Sequence, residues 1–162
     1  MGSIADSSSY YIGLARVSLA SLNFESVLDN RVHREYCEKN VNRLKEIFTI
    51  ENGCNRLDEE NYISALVDER SVQQSLQRAG YSEDSLRATP SSSIPFLQDL
   101  NLNCLHGLHR ILAAKDFLDE DDQWWTVKLF SNSEYTPLMT QGNVCNMTRS
   151  TCGCCYSESR KV

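Results

Sequence analysis

The stretch Leu102-Asn103-Cys104-Leu105-His106-Gly107-Leu108-His109-Arg110-Ile111-Leu112-Ala113-Ala114 constrains the fold more than any other part of this chain. It begins as an apolar run with strand character, passes through a single glycine, and continues as a helical pattern. A glycine at a strand-to-helix turn lets the backbone approach a ligand closely. The helix start beyond it offers free N–H groups and the positive end of the helix dipole. His109 and Arg110 in that first turn add a hydrogen-bond donor and a permanent charge whose planar fork suits phosphate oxygens. Gly107, His109 and Arg110 therefore form a candidate phosphate site. The plainer alternative is a helix start carrying two surface basic residues, because a lone tetrapeptide has little specificity.

The segments on either side supply the rest of a small mixed fold. Tyr10 to Leu19 reads as extended, with polar–apolar alternation in Arg16-Val17-Ser18-Leu19, and Leu19 to Leu22 as a turn closing it. Asn23 to Arg34 is irregular in pattern and reads as a loop. Glu35 to Phe48 places Val41, Leu44, Ile47 and Phe48 on one helical face, and Asn52-Gly53 is its stop signal. Tyr62 to Val67 is a short strand candidate. Asp68 can cap a helix from Glu69 to Ala79, which Gly80 ends, and Ser82 to Ala88 allows one further turn. Thr89 to Pro95 is a loop by composition, followed by a strand around Leu100 to Leu105 and a helix from Leu108 to Phe117. Leu118 to Asp122 is a solvated acidic turn, and Trp124 to Phe130 is rich in strand-forming residues. The order β, α, β, α, β, α, β defines an α+β domain over residues 10–130, with a mixed sheet and packed helices. Residues 1–9 and the Cys-rich tail, 131–162, are expected to be disordered.

Charge and cysteine usage narrow the functional classes. Sixteen Lys and Arg against 22 Asp and Glu give 16 − 22 = −6, which disfavours a broad nucleic-acid surface but leaves room for a local basic pocket. The N-terminus has no basic n-region and no apolar h-region, and Asp6 stands where a myristoylation signal has serine or threonine. No apolar run is long enough for a bilayer, so no membrane partner is expected and the localisation is intracellular, cytoplasmic or nuclear. Reduced thiols follow from that compartment. Cys104, His106 and His109 lack a visible fourth ligand for zinc, which favours a buried Cys104 and a hydrogen-bonded His106. Cys145, Cys152, Cys154 and Cys155 match no zinc-finger spacing. Asp119 to Asp122 lacks a calcium-loop spacing, and no P-loop, HExxH or Ser/His/Asp pattern is present.

Several of these segments together resemble a known group. Arg16-Val17-Ser18-Leu19, Glu38 to Phe48, Gly53-Cys54-Asn55-Arg56-Leu57-Asp58, Cys104 to Arg110 and Trp124-Trp125-Thr126-Val127 are similar to a fungal family of unknown function whose genes often lie near mobile elements. The glycine turn followed by Ala113-Ala114 resembles the ParB/sulfiredoxin-like superfamily. The resemblance implies a nucleotide partner, ATP or CTP with Mg²⁺, held at Gly107, His109 and Arg110, with Arg56 as a secondary contact. Sulfiredoxins carry their catalytic cysteine where this chain has Leu108, and the fungal family usually has arginine there. An aliphatic side chain cannot act as that nucleophile. No helix-turn-helix region of the ParB type follows. The cysteine-rich tail departs from the family pattern, as a truncated or altered reading frame would. The first expectation is a nucleotide- or phosphate-binding domain with at most weak nucleotide hydrolase activity; the alternative is a degenerate, non-catalytic accessory or interaction protein of a specialised gene cluster or mobile element.

Overall fold

The computed structural model describes residues 10–25, 35–87 and 93–133. The expected disordered N-terminus and, apart from Ser131–Ser133, the expected tail lie outside the described residues, as do the tail cysteines. The described part is a mixed α+β fold in which helices pack on a six-stranded sheet.

The first strand, β1, spans Tyr11–Ser18 and alternates buried and half-buried residues, as a strand with one covered face must. Ser18 accepts from Ala20 N at 3.3 Å and starts a 3₁₀ turn, Leu19–Ser21. The chain then extends again as β2, Leu22–Asn23. Helix α1 covers Glu38–Ile50 and is closed just after its end by Asn52, which takes φ 53° while Gly53 N returns to Phe48 O at 2.9 Å. Strand β3, Ile63–Val67, leads through Asp68 into α2, Glu69–Ala79. The Asp68 carboxylate accepts from Ser71 N at 3.1 Å, so the expected cap is made. A 3₁₀ turn follows at Glu83–Arg87. It rests on β1 where Gly13 has no side chain; a Cβ there would collide with the backbone of Leu86. Then come β4, Phe96–Leu97; β5, Leu102–Cys104; α3, Leu108–Phe117; and β6, Trp124–Ser131.

The strand order is β2-β5-β3-β6-β1-β4. The last strand of the described residues, β6, lies in the interior, antiparallel to β1 and parallel to β3. Two short strands depart from expectation. The turn after β1 continues into β2, parallel to β5, and the loop before Gln98 contributes β4, parallel to β1. β4 is drawn in by Arg16, whose backbone N donates to Pro95 O (2.8 Å) and whose Nε donates to Ile94 O (2.9 Å).

One face of the sheet carries Ala15, Val17, Ile63, Ala65, Trp125, Val127 and Leu129, all buried. Helices α1 and α3 cover it: Phe48 of α1 lies 5.7 Å from the Phe117 ring and 6.5 Å from Trp125. Apolar burial of this kind, at about 25 cal/mol per Å², is what holds a domain of this size together.

Candidate functional site

The glycine turn sits at the end of the sheet where β3 and β6 begin. Gly107 is the residue before α3 and adopts φ 96°, ψ 10°, a left-handed conformation that glycine holds without penalty. Its Cα is pressed on the core: a Cβ would meet Ile63 Cδ1 and Cγ1 at 2.8 Å. Gly107 therefore makes no side-chain cap, and the first N–H groups of α3 receive none from it. Arg110, one turn into α3, directs Nη1 to Asn61 O at 3.3 Å, and the same carbonyl accepts from Trp125 Nε1 at 2.9 Å.

His109 faces α1. Its Nε2 accepts from the backbone N of Cys37 at 2.9 Å, and its ring stacks on Tyr36 with centroids 6.4 Å apart. An accepting Nε2 places the neutral ring's proton on Nδ1. Cys37 precedes α1 and offers no side-chain cap, so His109 fixes where that helix begins, three residues later than the pattern predicts. His106 does something similar for the sheet. Its Nε2 accepts from Ser64 N at 3.1 Å, while Leu105 N donates to Ser64 O at 2.9 Å, extending the β3–β5 ladder past its last strand pair.

Arg56 lies at the same end of the sheet but is engaged with β6. Its Nη2 meets Asp122 Oδ2 at 2.7 Å, its Nη1 donates to Asp122 O at 2.7 Å, and its guanidinium lies 3.9 Å from the Trp124 ring centroid. Trp124 Nε1 also donates to Asp122 Oδ1 at 2.8 Å. The Arg56 hydrogen bond holds the Asp122 carboxyl below the usual carboxylate range. The acidic turn is thus not wholly solvated, since Asp122 joins the fold.

The thiols near the site are quiet. Burial pushes Cys104 up to about 12, and pushes Cys54 up to about 11 against the pull of Arg56. Nucleophilic thiols need the opposite shift. Among the described residues, no three His, Cys, Asp or Glu side chains come together as a metal site. Cys104 is buried and His106 hydrogen-bonded. Among the described residues no helix is long and apolar enough to cross a membrane.

Gly107 and Arg110 share one turn, His109 is turned toward α1, and Arg56 lies on Trp124. Sequence reasoning missed Asn61, whose carbonyl joins Arg110 to Trp125, and Cys37, whose N–H occupies His109. Both act through backbone groups, which leave no mark in residue type.

Comparison with known proteins places this geometry in a family. Residues 10–144 match the family model described as "Protein of unknown function (DUF3723) N-terminal domain", and the chain belongs to that family. No curated protein and no solved structure matches the chain.

Proposed function

We propose that this DUF3723 N-terminal domain is a non-catalytic binding module that seats a phosphate-bearing ligand, a nucleotide in the first instance, at the start of α3. The observation that carries the reading is the start of α3: Gly107 gives the helix's first N–H groups no side-chain cap, and Arg110 stands in the same first turn. A ParB/sulfiredoxin-like ancestry in a fungal lineage belongs to the same proposal and supplies ATP or CTP with Mg²⁺ as the ligand class. Catalysis does not belong to it. Leu108 offers no nucleophile, and the thiols of Cys104 and Cys54 are held protonated by burial.

The test is a melting-temperature screen against ATP, CTP and inorganic pyrophosphate, with and without Mg²⁺. A ligand at 100 times its Kd stabilises the native state by about 2.7 kcal/mol, which raises Tm by several degrees. Arg110→Ala should abolish most of that shift. An equal shift in wild type and Arg110→Ala would refute the site.

A second reading has its own support. His109 Nε2 is bonded to Cys37 N, Arg56 to Asp122 and Arg110 to Asn61 O, so the three basic side chains of the candidate site already serve the fold. On that reading the domain is an accessory or interaction protein, and no nucleotide moves its Tm.

A further inference from the structure

The sheet face opposite α1 and α3 has a composition of its own, and of the side chains on it only Arg56 belongs to the candidate α3 site. Register pairs Arg16 with Thr126, Leu14 with Lys128, Tyr11 with Phe130, and Ser64 with Lys128, so these side chains share the face that Trp125 and Val127 do not. Rings and cations are interleaved on it. Arg56 lies 3.9 Å and Arg16 5.5 Å from the Trp124 ring centroid, Lys128 Nζ lies 5.8 Å from that of Tyr62, and Tyr11 packs on Phe130 at 5.4 Å. The rings are held in place, Tyr62 by its hydroxyl on Leu57 O (2.9 Å) and Trp124 by its indole N–H on Asp122. Beneath them Thr126 is fully buried, and its Oγ1 has no hydrogen-bond partner.

Charge is sorted by depth on this face. The cations are the sheltered members, with side chains 15 % exposed for Arg56 and 31 % for Lys128. Their carboxylate partners stand outside them, 51 % exposed for Asp122 and 80 % for Glu59. The Lys128–Glu59 pair, a single 3.2 Å contact at the surface, is worth less than about 1 kcal/mol, so an incoming anion exchanges for that carboxylate at little cost. Glu59 therefore marks an anion position beside Tyr62, while Asp122 stays on Arg56 and Trp124 and holds that pair in place.

We propose that this face binds a short segment of single-stranded nucleic acid. Bases stack on Tyr62 and on the Arg56–Trp124 pair, and a phosphate replaces Glu59 on Lys128. Rings and guanidinium planes on an open sheet suit unpaired bases, whose faces a duplex hides. A phosphorylated peptide would use the cations but not the rings. The net charge of −6 restricts the contact to this narrow strip.

The experiment is fluorescence anisotropy of the full chain with labelled eight-nucleotide oligouridine and oligothymidine, in 50 and 200 mM salt. With one phosphate engaged, the salt slope for a single strand is about −0.7, so affinity should fall about 2.5-fold between the two conditions. Tyr62→Leu should weaken binding about tenfold. Lys128→Gln should reduce the salt slope by about 0.7, and Glu59→Gln should tighten binding. Arg110→Ala should leave it unchanged, which separates this face from the α3 site. Equal affinity for a duplex of the same sequence, or equal competition by a phosphoserine peptide of the same charge, would overturn the proposal. So would wild-type binding by folded Tyr62→Leu. If that variant fails to fold, an unaltered salt slope in Lys128→Gln overturns it.

Discussion

Replacing Gly107 by alanine tests the turn from which α3 springs, and its cost can be worked from two separate sources. The first is conformational. A residue with a Cβ at φ 96°, ψ 10° is strained by about 1–2 kcal/mol, as left-handed backbone is for L-residues. The second is steric. The new methyl would lie 2.8 Å from both Ile63 Cδ1 and Cγ1, with Ile63 itself fully buried on β3 and unable to swing into solvent. Overpacking of that size costs about 1–3 kcal/mol. Gly107→Ala should therefore destabilise by about 2–5 kcal/mol, a large part of the stability of a small domain. Urea unfolding followed by Trp124 and Trp125 fluorescence measures it. Ile63→Ala removes the clashing atoms at a cost of its own of about 2–5 kcal/mol. In that background Gly107→Ala should cost only the conformational 1–2 kcal/mol, a coupling of about 1–3 kcal/mol. Equal losses in both backgrounds would refute the steric half of the reasoning, and a loss below about 0.5 kcal/mol in wild type would refute both halves.

Other perturbations follow from the same contacts. His109→Ala removes the acceptor of Cys37 N and should cost about 1–2 kcal/mol, with faster amide exchange at Cys37 by NMR. Because the Asp122 carboxyl is held below its ordinary value of 3.8, its stabilisation is present above that pH and lost as pH falls through the folded value. Asp122→Asn should flatten the acid limb of the stability curve below about pH 4, by no more than about 1 kcal/mol given its exposure. The raised thiols act in the other direction. Their contribution is intact below the ordinary thiol value of 9.0 and is lost as pH rises toward about 11 for Cys54 and about 12 for Cys104, so an alkaline loss should shrink in Cys104→Ala. Native-state alkylation mapped by mass spectrometry should modify Cys37 well before Cys54 or Cys104, which are buried.

The parts of the fold legible in the sequence are those whose ends are marked by chemistry. Asp68 and Gly80 bracket α2, and Gly107 precedes α3, so both helices have the bounds that their residues announce. Strands β2 and β4 have two residues each, too short to show any period, and each exists because a distant strand pairs with it. The start of α1 moved from Glu35 to Glu38 because His109, 72 positions away, holds the N–H of Cys37. The same limit applies at the site. The conformation of Gly107 is local and could be read directly. The partner of Arg56 lies 66 positions off, and a sequence shows only that an arginine and a run of acids exist.

The interior position of β6 has a consequence for how the chain comes to be folded at all. Strands β2, β5 and β3 make one half of the sheet and β1 and β4 the other, and only β6 hydrogen-bonds to both. Before Trp124–Ser131 leave the ribosome, neither half has its partner, and the apolar side chains of Ala15, Val17, Ile63 and Ala65 face water. The nascent chain must therefore wait for β6 to close the sheet, an interval in which unpaired strand edges are open to chaperones and to one another.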